Sequence, residues 1–389
     1  MYPAGRQLRN KMKISIVHSV YQSAASGENE AVESQAAALR LRGHQVQTLL
    51  RSVPSPNPER HYLFSTGLRV ATGYGSSPLA QINSFGPDVV HLHNLTPNWG
   101  TRWLSKLQIP VVATVHNFRY LCAAGTFSRE SQTCFKCQSE SSLNSIRYAC
   151  YRGSAMATVP LAIATSKPRS NPVLRVSSQL IFVHENTKKI YERFLGDDIA
   201  LKARIISNFV ESLPMKPSPD ARRDTWVYAG RLSPEKGILE LIRNWPPSRK
   251  LLIFGDGPLR RICEVEAENK PIQFLGARSS SEVRKTLAFS RGLVMPSTCF
   301  EAGFPTSYLH ALACGVPTVA HAKNTAGQDV IRHTTGSTFE DFSGLTVALS
   351  RAENDWNRII PRIMVRTADF TPSVWGDLIE DVYRQVVST

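Results

Sequence analysis

Residues 225–237 read TWVYAGRLSPEKG, an apolar run followed by a glycine, two separated cations and a second glycine. The first five residues have the β-branched and aromatic character of a buried strand, and Gly230 ends it. A helical stretch follows Pro234, which puts Arg231 and Lys236 at the C-terminal edge of a strand, where open parallel sheets bind ligands. A planar guanidinium and a compact ammonium converging there suit a diphosphate; two solvated surface cations are the plainer alternative. The same rhythm continues downstream: KLLIFG, IQFLG, GLVMPS and PTVAH are short apolar runs, separated by helical stretches from Pro258, over Ser281–Ser290 and from Pro305. Strand, helix and strand joined by short connections make a parallel sheet.

Upstream the alternation is of the same kind. KISIVH from Lys13 is followed by a helix over about Glu28–Arg42, with Val32, Ala36 and Leu39 on one face and Gly43 at its end. QVQTLL, DVVHLH, PVVATVH, SQLIFVH and ARIISNFV supply further strands. LPMKPSPDARRD, residues 213–224, holds three prolines and no apolar period, as a linker does. The expected class is therefore α/β. A Rossmann-like half over 13–213 carries a cysteine-bearing insertion at 118–153, and a second Rossmann-like half spans 222–371. Residues 372–389 read as an amphipathic helix, with Trp375, Ile379, Val382 and Val386 on one side, packing back across the junction. Two such halves face each other across a cleft lined by strand C-termini.

Composition bounds the function. The chain has 389 residues, 42% hydrophobic and 20% charged, which excludes intrinsic disorder as the main state. Its longest apolar stretch, Met156 to Thr165, is far shorter than the ~20 residues of a membrane-spanning helix. MYPAGRQLRNK is basic but has no apolar core after it, which gives the expectation of no secretory signal, a cytoplasmic protein and Met12 as an alternative start. The formal charge of +15 suits nucleic acid, an anionic membrane or phosphorylated small molecules. No run of Arg and Lys interleaved with aromatics makes a base-stacking surface, so nucleic acid is the weakest partner.

Two more stretches carry chemistry. GDGP, residues 255–258, is a glycine turn at a strand C-terminus without dinucleotide-fingerprint spacing, so Gly255 matters by position. STCFEAGFPTSYLHALACGVPTVA, residues 297–320, puts Pro305 at the start of a helix, which leaves the amides of Thr306 and Ser307 free at its positive end for a diphosphate. Glu301 before that turn suits sugar hydroxyls, and His310, one turn in, suits a ribose; a turn glutamate and a core histidine are the plainer alternatives. In the first half, Glu28 and Glu30 open a helix whose end they would make repellent to phosphate, so this loop is expected to bear on acceptor or sugar. His91, His93 and Asn94 are expected along the same cleft, with plain packing as the alternative.

With these motifs in place, the chain resembles glycosyltransferase family 4, the retaining nucleotide-sugar enzymes of GT-B fold. The resemblance runs from Lys13 over nearly the whole chain, on SGENEAVE, RGHQV, TVHN at 114–117, GRLSPEKG, GDGP and GFPTSYLHALACGVP. It implies a sugar transferase in which Arg231 and Lys236 bind the donor diphosphate, His116 lies beside the transferred sugar and Gly27 approaches the phosphate. It implies donor contacts from Gly230, Gly255, Gly303, Phe304, Pro305, Thr306, Ser307 and His310, catalytic roles for His116, Glu301, Arg231 and Lys236, and acceptor contacts from His93, Asn94 and Asn117. The family pattern has two glutamates separated by seven residues. Here His310 stands where the second belongs, and Glu301 is displaced by one from the first, which a bulge at Ala302 and Gly303 would restore. The broken pair keeps two rivals open: a non-catalytic nucleotide-sugar or glycan-binding relative, and a nucleotide-sugar epimerase. No Asp-x-Asp element occurs, so positive side chains and a helix end are expected to do a metal's work, and no cofactor is expected in catalysis. A glycan or lipid-linked acceptor, work in cell-surface polysaccharide synthesis and peripheral contact with the inner face of an anionic membrane complete what the resemblance implies.

The insertion directly after His116 holds Cys122, Cys134, Cys137 and Cys150, spaced C-x11-C-x2-C-x12-C. A tetrahedral thiolate site for structural zinc, a redox-sensitive or disulfide pair and four free thiols all fit that spacing. Cys263, Cys299 and Cys314 have no partner spacing and read as small apolar residues.

Overall fold

The computed structural model describes residues 11–20, 27–52, 60–130, 132–211, 224–299 and 301–388. The proline-rich linker expected at 213–224 lies almost entirely outside them. The main sheet of the first half holds β1 (Lys13–Val20), β2 (Gln45–Ser52), β3 (Val89–Leu92), β4 (Val111–Val115), β5 (Gln179–Phe182) and β6 (Ala203–Ile205), in the order β2-β1-β3-β4-β5-β6 with every pairing parallel; a short antiparallel hairpin pairs Ser128–Arg129 with Gln132–Thr133 in the insertion. The second half has β7 (Thr225–Ala229), β8 (Lys250–Phe254), β9 (Ile272–Gly276), β10 (Gly292–Met295), β11 (Thr318–His321) and β12 (Gly336–Phe339). Its order, β9-β8-β7-β10-β11-β12, is again all parallel. β12, reading GSTF, has no apolar run to announce it in the sequence and takes its place as an edge strand.

In each sheet the strand order reverses at one point, beside β1 and β3 in the first half and beside β7 and β10 in the second. Loops leaving neighbouring strands part there and open a crevice. The helices that matter for it are α1 (Gly27–Leu41), α2 (Arg60–Thr72), α3 (Ala155–Thr165), α4 (Ser280–Ala288), α5 (Thr306–Ala313) and α6 (Pro372–Val387). α2 has no counterpart in the sequence reading, because its exposed Leu63, Phe64 and Leu68 give it no clean apolar stripe.

The helix α6 belongs to the second half by chain order and to the first by packing. Trp375, Ile379, Val382, Tyr383 and Val386 join Ile14, Ile16, Val32, Leu39, Val89, Val112 and Ile181 in a single core. Arg42 is ion-paired with Asp377 and with the buried Glu380, and His44 Nε2 stands 3.1 Å from the same Glu380 carboxylate. The halves also touch beside the cleft. A Cβ on Gly303 would fall 2.7 Å from Val183, so only glycine lets the loop between β10 and α5 lie this close to the end of β5. Thr187 donates to the carbonyl of Ala302 beside it.

Candidate active site

The loops after β7 and β10 converge because those strands are neighbours at the reversal of the second sheet. Lys236 Nζ stands 2.6 Å from Glu301 Oε1. Burial works against the ammonium, but the Glu301 carboxylate outweighs it and raises the Lys236 pKa. The second carboxylate oxygen of Glu301 is buried with no hydrogen-bond partner, although the residue is only 7% exposed. An acceptor left dry in this way costs free energy unless a ligand donates to it. Arg231 is exposed, and its side chain is in no ion pair among the described residues. Pro305 is the residue just before α5 rather than its first, and no side chain caps the helix, so the amides of Thr306 and Ser307 face outward at its positive end.

From the opposite side comes the start of α1. A Cβ on Gly27 would fall 2.5 Å from the Thr306 hydroxyl oxygen, so the first turns of α1 and α5 meet across the cleft. Glu28 bonds the Asn117 side-chain amide, which ties the α1 end to the loop after β4. Glu30 crosses to the second half: its Oε1 is 3.3 Å from His310 Nε2, and its Oε2 accepts from the Ser280 hydroxyl at 2.6 Å. Burial works to raise the Glu30 carboxyl, yet the bonds from His310 and Ser280 outweigh it and hold it below its ordinary value. The sequence reading assigned Glu30 to acceptor or sugar and missed this crossing. Its only signal was a carboxylate one turn into a helix whose first residue had to be glycine.

Beside this junction a column of imidazoles lines the first half. His91 and His93 stack at 4.4 Å between centroids, and His93 and His116 at 5.1 Å. His93 Nδ1 lies 2.8 Å from His116 Nε2, while His91 is held by Tyr383 at 2.6 Å and Thr114 at 2.8 Å. Burial lowers His91 to about 3 and His116 to about 4, and pushes His93 well down too. The column is therefore neutral near pH 7 and offers polar ring edges without charge.

Several expected positions have other work. Gly255 packs against the Gly230 carbonyl, where any Cβ would clash at 2.0 Å, so glycine at this position lets two loop backbones touch. Phe304 points into an aromatic cluster with His184, Tyr308 and Phe370. Asn94 spends its side chain on a local turn with Thr96. His91 is sealed beneath α6 and does not line the cleft. The four cysteines of the insertion lie near one another, since Cys122, Cys134 and Cys150 all act on the Cys137 thiol. Cys122, Cys134, Cys137 and Cys150 are half-buried free thiols, and among the described residues no three His, Cys, Asp or Glu side chains are grouped to hold a metal ion. Burial, with its neighbouring thiols adding to the effect, pushes Cys137 up to about 11. Aromatic packing also holds the insertion, through Phe118, Phe127, Phe135 and Phe194.

A family model described as Glycosyltransferase Family 4 matches residues 25–212, and one described as Glycosyl transferases group 1 matches residues 223–355. The chain belongs to the family 4, group 1 glycosyltransferases. The two matches divide it at the linker between its two sheets. Curated relatives include an exopolysaccharide phosphotransferase of Streptomyces coelicolor, 30% identical over 45% of this chain and 20% of that protein. Another is a GDP-mannose-dependent alpha-(1-6)-phosphatidylinositol monomannoside mannosyltransferase of Mycolicibacterium smegmatis, 28% identical over 43% of this chain and 51% of that one. The matched stretches thus span from a fifth to about half of those relatives' own lengths. Sucrose-phosphate synthase from Thermosynechococcus elongatus superposes with a TM-score of 0.69 at 18% identity, over 97% of this chain and all of that one. A pneumococcal O-GlcNAc transferase solved with UDP and GlcNAc gives 0.63 at 11% identity, over 98% of this chain and all of that one. These likenesses place the fold as GT-B.

The neutral histidines make a pH prediction. His91 and His116 protonate near 6.5 when unfolded and only near 3 to 4 when folded. Below pH 6.5 the unfolded chain takes up protons that the folded chain refuses. Stability is therefore complete above about pH 6.5 and falls as the pH drops, by about 1.4 kcal/mol per pH unit for the buried His91. Urea midpoints measured from pH 7.5 down to 5 should decline, and His91→Asn should be less stable throughout but with a flatter slope. A parent profile that is flat across this window contradicts the buried neutral column.

Proposed function

We propose that this chain moves a sugar, with retention at the anomeric carbon, from a nucleotide-diphosphate donor to a glycan or lipid-linked acceptor in the synthesis of cell-surface polysaccharide or glycolipid. The observation that carries the reading is the meeting of two helix N-termini across the cleft at Gly27 and Thr306. The uncapped α5 end behaves as about half a positive charge and favours an anion beside Arg231 and Lys236, while Glu28 and Glu30 at the α1 end are engaged by Asn117 and by His310 and Ser280. Arg231, Lys236 and the amides of Thr306 and Ser307 then stabilise the charge that gathers on the diphosphate as the bond from C1 to oxygen breaks. Glu301 Oε2 is a ready acceptor for a hydroxyl of the transferred sugar. His116, neutral, offers that sugar a hydrogen bond without competing for the phosphate. The acceptor hydroxyl forms the new bond to C1, and its proton passes to the departing diphosphate oxygen.

Peripheral membrane contact is part of the proposal. α2 and α3 pack on each other and expose Leu63, Phe64, Leu68, Met156 and Ile163. Arg147 and Arg152 precede α3 in the chain and Lys167 and Arg169 follow it, and residues 141–184 include no Asp or Glu. An apolar ridge flanked in sequence by cations suits an anionic bilayer, with each cation near the surface contributing about 1 kcal/mol. No helix among the described residues is long and apolar enough to cross a membrane.

Two outcomes are expected. With a panel of nucleotide sugars, Arg231→Ala should lower release of nucleoside diphosphate by roughly a hundred-fold or more, a loss equivalent to about 3 kcal/mol of transition-state stabilisation, while the urea midpoint stays that of the parent. Full activity in this variant contradicts the assignment. Vesicles of phosphatidylglycerol and phosphatidylcholine should carry the parent in flotation at low salt, and pure phosphatidylcholine should not. Met156→Glu with Ile163→Glu should abolish the difference. Equal flotation on both lipids sinks the docking claim.

A further inference from the structure

The cleft holds one carboxylate that the donor-site reading leaves without a task. Glu30 is three residues into α1 and His310 four residues into α5, and the two helices begin together at Gly27 and Thr306. Each side chain therefore stands about one turn, ~5 to 6 Å, beyond the point where the helix ends meet. A diphosphate at that point has its ribose one phosphoester further along, at the level of this pair. The vicinal hydroxyls of a ribose are two donors side by side, and the group that accepts both is a carboxylate. The family pattern puts a glutamate at position 310, and this chain has His310 there instead.

We propose that Glu30 supplies the missing carboxylate from the opposite half, binding the ribose 2′ and 3′ hydroxyls of the donor, with His310 and Ser280 as the positioning residues that hold it. The inference rests on the reading of this cleft as a nucleotide-sugar site. Each Glu30 oxygen makes one bond, Oε1 to His310 at 3.3 Å and Oε2 to Ser280 at 2.6 Å, which leaves lone pairs on both for a ligand. The Glu30 side chain keeps 31% of its surface accessible, whereas His310 is 5% accessible, so the carboxylate and not the imidazole is the group a ligand reaches. The charge of Arg284 also acts on the Glu30 carboxylate. Ribose recognition in this arrangement requires both halves at once: the second half cannot bind the diol alone, and nucleotide binding draws the first half onto it.

Calorimetric titration of the full chain with UDP and GDP, each against its 2′-deoxy form, tests this. The parent should prefer the ribonucleotide by roughly ten- to a hundred-fold, the discrimination expected where a charged group bonds a hydroxyl. Glu30→Ala should bring the ribonucleotide and the deoxy form to one level, weakening the ribonucleotide more because it loses two hydroxyl bonds where the deoxy form loses only the 3′ one. His310→Glu alone sets two carboxylates together and should weaken both ligands, and Glu30→Ala added to it should restore the ribose preference. Retention of the full preference in Glu30→Ala overturns the inference and leaves the donor site standing, as does equal binding of ribo and deoxy forms by the parent. A parent that binds neither UDP nor GDP overturns the donor reading and this inference with it.

Discussion

Two helix ends of like sign, brought into contact, are the constraint on which the rest of this cleft depends. The starts of α1 and α5 meet where only a glycine fits against Thr306, and each carries about half a positive charge. The surroundings answer that charge with carboxylates that are shared out. Glu28 turns to Asn117, Glu30 crosses to His310 and Ser280, and Glu301 takes Lys236. None of these bonds uses up its carboxylate, and one Glu301 oxygen is buried with no partner at all. The resting cleft is balanced well enough to close and incompletely enough to favour a polyanion that also carries hydroxyls.

Lys236, Glu301 and Glu30 gather charge on the side of the cleft where α5 begins. On the other side, the stacked His91, His93 and His116 are kept neutral by burial, and His91 is fixed from beneath by Tyr383 of α6. The helix that ends the chain thus seals the first sheet and braces the histidine column. The aromatic packing of the cysteine-bearing insertion, which begins directly after His116 and Asn117, steadies the same wall from above.

Much of this was legible in the sequence because the signals were local. Apolar runs of strand length, each ended by glycine or a turn, gave both sheets except the polar edge strand GSTF. The motif positions followed, since Arg231, Lys236, Glu301 and His116 are all fixed by where a strand stops. What could not be read depends on pairs distant in the chain. Gly255 and Gly303 were assigned to a ligand, and their missing Cβ atoms turn out to face Gly230 and Val183. Glu30 looked like a helix-opening carboxylate that would repel phosphate; its reach to a residue 280 positions later is set by how the halves close, which periodicity does not encode. The four cysteines have metal-like spacing and lie close enough to act on one another, while the aromatic rings that hold the segment could not be read from that spacing.

A crystal structure of the chain with UDP or GDP tests the central claim most directly. The account predicts diphosphate oxygens about 3 Å from the backbone nitrogens of Thr306 and Ser307, within reach of Arg231 and Lys236, and facing Gly27 across the closed cleft. A diphosphate bound elsewhere, with the α5 N-terminus left to solvent, would contradict it.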